Sequence, residues 1–120
     1  MKIRTGFVSN SSSSSFLIYG IAEENPFEFL KKIEPDVDID EEDGFYDLVD
    51  LIAEKVGKKT KELRVEQYMD YAFYIGRNPV SIKDDETGKQ FKDNVVNELK
   101  KLGVDDVSKV NYYEECWQDG

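Results

Sequence analysis

Leu63-Arg64-Val65-Glu66-Gln67-Tyr68-Met69-Asp70-Tyr71-Ala72-Phe73-Tyr74-Ile75 is the stretch that decides the fold. Leu63, Val65, Met69, Tyr71, Phe73 and Ile75 alternate with Arg64, Glu66, Tyr68, Asp70 and Tyr74, and only Gln67 interrupts the apolar side. Successive side chains of a strand point to opposite faces, so a period of two predicts one long strand, or two strands bent near Met69-Asp70, resting on a core. Arg77-Asn78-Pro79 ends the run.

On the C-terminal side the period changes to that of a helix. Thr87-Gly88-Lys89-Gln90 is a capping box, followed by Phe91, Val95, Leu99 and Leu102 at helical spacing and then by Gly103 as a C-terminal stop. Val110 to Trp117, aromatic and alternating, predicts a final strand. On the N-terminal side Phe45, Leu48, Val49, Ile52 and Val56 make another helical stripe, with Gly57 expected as its C-terminal cap. Asn25-Pro26-Phe27-Glu28 starts a shorter helix that Pro35 stops after Glu34. Two β-type runs, Ile3 to Val8 and Phe16 to Ile21, flank the polar tract Ser9 to Ser15. The order β-β-α-α-β-α-β predicts an α+β domain, a mainly antiparallel sheet of about four strands with about three helices on one face.

With 120 residues and 13.9 kDa, residues 1–120 make a single domain, and a mean hydropathy of −0.61 with 35% charged residues gives a polar surface. The chain has no histidine, which excludes imidazole base catalysis, Ser-His-Asp and Cys-His arrangements and His-containing metal sites. Cys116 is the single cysteine, so no internal disulfide and no Cys-based zinc site can form. Its neighbours Glu114 and Glu115 disfavour a thiolate. No apolar run reaches the roughly 18 residues of a membrane span, and serines stand where a signal peptide needs an apolar core. The natural compartment is a reducing cytoplasm.

The formal charge of −10 is local. Between Lys32 and Lys55 stand Glu34, Asp36, Asp38, Asp40, Glu41, Glu42, Asp43, Asp47, Asp50 and Glu54 with no base among them, and the rest of the chain is neutral. Such a block is either a solvated surface or a docking site that selects a basic partner by charge. Direct nucleic-acid binding is not expected, because only Lys58, Lys59 and Lys61 approach a basic cluster. A DNA mimic needs carboxylates in two rows, which one block supplies poorly. Asp36, Asp38 and Asp40 match the first, third and fifth positions of a calcium loop. The match fails at Glu41, where glycine is needed, and at Asp47, where a bidentate glutamate belongs. No metal or other cofactor is expected. Asp84, Asp85 and Glu86 could act as metal ligands or as a hydrolase's carboxylates, but the simpler expectation is that they favour the positive end of the helix after Thr87.

Arg4-Thr5-Gly6-Phe7-Val8-Ser9-Asn10-Ser11-Ser12-Ser13-Ser14-Ser15-Phe16 is too particular for an ordinary serine linker. The stretch resembles the opening signature, a basic residue followed by GFVSNSSSSSF, of small proteins of tailed phages, prophages and their bacterial hosts. A looser resemblance to the same group continues in Tyr74-Ile75-Gly76-Arg77-Asn78-Pro79, Asp84-Asp85-Glu86-Thr87 and Phe91-Lys92. The resemblance implies a phage-type accessory role in the cytoplasm of a bacterial host, and it carries over no catalytic residue.

These readings leave two functional expectations. The first is a non-enzymatic accessory protein that binds a host or phage protein through Asp36, Asp38, Asp40, Glu41, Glu42, Asp43 and Asp47, with Tyr68 and Tyr74 exposed on a strand face and contributing contacts. The alternative is a protein that binds or sequesters a phosphate or nucleotide, using Arg4, Ser9, Asn10, Ser11, Ser12 and Ser13 as an anion cradle. The tract is not a Walker loop, lacking the second glycine and the lysine.

Overall fold

A computed structural model describes residues 13–68 and 72–118, with side chains described for 16–68 and 72–114. The alternating run at its centre is two strands. β1 (Ser13–Glu23) is followed by α1 (Pro26–Ile33), α2 (Phe45–Lys59), β2 (Arg64–Tyr68), β3 (Ala72–Arg77), α3 (Gly88–Leu102) and β4 (Asn111–Gln118). Short 3-10 turns, Pro79–Ser81 and Val107–Lys109, lead into α3 and β4. The strands form one antiparallel sheet in the order β2-β3-β1-β4. The α+β class, three helices and four described strands agree with expectation. The division of the 63–75 run supplies the pair β2 and β3, with Tyr68 opposite Ala72. The expected first strand, Ile3 to Val8, and the bend at Met69-Asp70 lie outside the described residues.

The local signals act as their chemistry requires. The Asn25 side chain accepts from the Glu28 amide at 3.0 Å, with Pro26 opening α1. Thr87 and Gln90 make both bonds of the capping box at 3.0 and 2.8 Å. Gly103 closes α3 at φ 109°, in the left-handed region that favours glycine. Gly57 corrects the expectation, for α2 runs through it to Lys59 and is capped by Thr60. The apolar stripe ends at Val56, but Lys58 and Lys59 extend the helix through ion pairs to Glu54 and Glu34, both at 3.2 Å, which an apolar period cannot reveal.

All three helices lie on one face of the sheet, around Ile21, Phe73 and Ile75. Leu30, Ile52, Val95, Leu99, Phe73 and Ile75 are fully buried there, each large aliphatic contributing about 1.5–3 kcal/mol. α2 lies over the β2 side, and α3 packs on β1 and β3. The other face carries Phe16, Ile18, Tyr74 and Tyr113, with Tyr74 in ring contact with Phe16 (5.1 Å) and Tyr113 (5.7 Å). Gly20 and Gly76 face each other across β1 and β3, so close that a Cβ on either would overlap the other strand's backbone.

Candidate functional site

Asp36-Val37-Asp38-Ile39-Asp40 alternates as the chain leaves α1. Val37 and Ile39 pack against the core, while Asp36, Asp38 and Asp40 stay exposed. A turn follows, built by the acids themselves. The Asp40 amide donates to Asp43 Oδ2 and the Glu42 amide to Asp40 Oδ1, both at 3.0 Å, and the Asp43 amide donates to the Asp40 carbonyl at 3.0 Å. Gly44 then caps α2, and Asp47 lies in its first turn, where the helix dipole favours negative charge.

The ten acids divide into two kinds. Glu34 and Glu54 are paired with Lys59 and Lys58. Asp36, Asp38, Asp40, Glu41, Glu42, Asp43, Asp47 and Asp50 are exposed, and no ion pair joins any of them to a base among the described residues. At physiological salt their combined field reaches about 8 Å into solvent. The loop does not gather its carboxylates as a calcium site does: among the described residues no group of three or more metal-binding side chains is poised to hold an ion.

The tyrosines expected beside this surface are elsewhere. Tyr74 is 4% exposed, and it shares with Tyr68 the sheet face opposite the helices. Its burial corrects the expected exposed contact residue. The period of two assigned the face correctly but gave no sign that this second face is aromatic and packed as well. A groove of about 490 Å³ opens on the same face, lined among the described residues by Ala22, Ala72, Tyr74, Tyr113, Glu23, Glu24, Asn25 and Lys109. Its polar rim is largely satisfied within the fold. Glu23 pairs with Lys109 at 3.2 Å, Tyr113 donates to the Lys109 carbonyl at 2.7 Å, and Asn25 caps α1.

Sequence reasoning missed the most developed polar cluster, which Arg77 organises. Arg77 is 4% exposed and uses all five guanidinium donors. Nη1 and Nη2 grip both Glu86 oxygens at 2.9 and 3.0 Å, Nη1 also reaches Asn94 Oδ1 at 3.1 Å, and Nη2 and Nε reach Ser81 O and Oγ at 2.8 and 3.2 Å. Its charge lies 4.4 Å from the centre of the Phe91 ring. The Arg77 hydrogen bonds, helped by the Lys83 amide, hold the Glu86 carboxyl below its ordinary value. Glu86 thus binds Arg77, directly before the Thr87 cap of α3, while Asp84 and Asp85 are exposed. A second cluster joins the end of α2 to α3. Thr60 donates to the buried Glu98 at 2.5 Å, and Lys101 donates to its other oxygen at 2.9 Å. Both bonds lower the Glu98 pKa. Each cluster is closed upon itself, so its role is to fix the fold.

Arg4, Ser9, Asn10, Ser11 and Ser12 of the proposed anion cradle lie outside the described residues, as does the side chain of Ser13, whose backbone begins β1. The side chain of Cys116 is likewise outside them. No helix among the described residues is long and apolar enough to cross a membrane. Comparison with known family models, curated proteins and solved structures finds no match for this chain.

Proposed function

We propose that this chain is a non-catalytic accessory module, of the phage type its N-terminal motif suggests, that docks a basic protein partner in the bacterial cytoplasm. The observation that carries the proposal is the set of eight exposed carboxylates with no base paired to them among the described residues, six on a loop anchored from beneath by Val37 and Ile39 and two, Asp47 and Asp50, on the start of α2. A field of one sign on an ordered scaffold speeds encounter with a basic surface and rejects acidic ones. The absence of histidine and of a second cysteine from the chain leaves few routes to catalysis, and a lone cysteine suits a reducing compartment.

The test separates charge from loop structure. Lysines at Asp38 and Glu42 reverse two exposed charges, and asparagines at Asp40 and Asp43 remove two more while keeping the side-chain acceptors of the turn. Partners captured from host lysate by the native chain are identified by mass spectrometry, purified, and titrated against both proteins over a range of salt. The native complex is expected to weaken steeply with salt, and the variant to bind at least about tenfold more weakly, roughly 1.4 kcal/mol. Equal affinity and equal salt dependence in the two proteins would refute the proposal.

A further inference from the structure

We draw no further inference here: the strongest candidate, the exposed ring of Tyr46 in the first turn of α2, belongs to the carboxylate surface already described, and nothing in the structure points to the group it would meet.

Discussion

Replacing Arg77 by methionine keeps much of the side chain's volume over Phe91 and removes all five donors. Hydrogen bonds to neutral acceptors contribute about 0.5–1.5 kcal/mol each and those to a carboxylate somewhat more, a gross loss of roughly 5–8 kcal/mol. Two effects reduce it. The guanidinium no longer has to be desolvated, which offsets several kcal/mol for a group only 4% exposed. The abandoned acceptors on Ser81, Glu86 and Asn94 lie near enough to the surface to rehydrate. The net destabilisation should be about 2–3 kcal/mol, a fall in Tm of roughly 8–12 °C for a domain of this size. The reverse truncation, Glu86→Leu, leaves the guanidinium buried without its counter-charge and should cost more. The double variant Arg77→Met/Glu86→Leu should therefore be more stable than Glu86→Leu alone. Urea unfolding followed by circular dichroism measures all three, with the midpoint shifting at constant slope. If Glu86→Leu proves milder than Arg77→Met, or the double variant is the least stable, Arg77 is not held as a buried, compensated charge and the reasoning fails.

Acidification tests the same carboxylates. Glu86, Glu98 and Asp106 all have folded-state pKa values below their ordinary ones, held down chiefly by Arg77, Thr60 and Ser108 respectively. Their stabilisation is present above the unfolded-state values, 4.5 for the glutamates and 3.8 for the aspartate, and is lost as pH falls through the folded values. Unfolding midpoints measured from pH 6 downward should fall below about pH 4.5, and Glu86→Gln should flatten that fall. Thr87→Ala removes the hydroxyl that caps α3 and should cost about 1 kcal/mol in urea unfolding. Gly20→Ala drives a Cβ into the Ile75 backbone and should cost about 3 kcal/mol or more, with loss of the cooperative thermal transition as the severe outcome.

Much of the fold was legible because it rests on local rules. Asn25, Pro26, Thr87, Gln90 and Gly103 mark helix ends by their own chemistry, and the stripes from Phe45 to Val56 and from Phe91 to Leu102 mark buried faces. What stayed hidden depends on partners distant in sequence. Arg77 is in phase with Phe73 and Ile75, so the period of two already pointed it inward, but nothing local specified Glu86, Asn94 and Ser81 as its acceptors. Glu98, beside Leu99 on the buried face of α3, is the same case with Thr60. The carboxylate block was visible as composition, and its alternation with Val37 and Ile39 explains why it stays on the surface. Tyr74 misled because one alternating strand cannot reveal that both of its faces are packed.

The register of β1 with β4 has a consequence for the order of events during synthesis. Ser13 to Gly20 leave the ribosome early, yet their ladder partners are Asn111 to Gln118, so the central strand waits for nearly the whole domain to be translated. α1, α2 and the β2–β3 hairpin need only nearby residues and can form while that strand is still incomplete on one side. Long-range closure of this kind slows folding, and until β4 arrives the nascent chain carries an open β1 edge that chaperones, or another unfinished chain, would meet first.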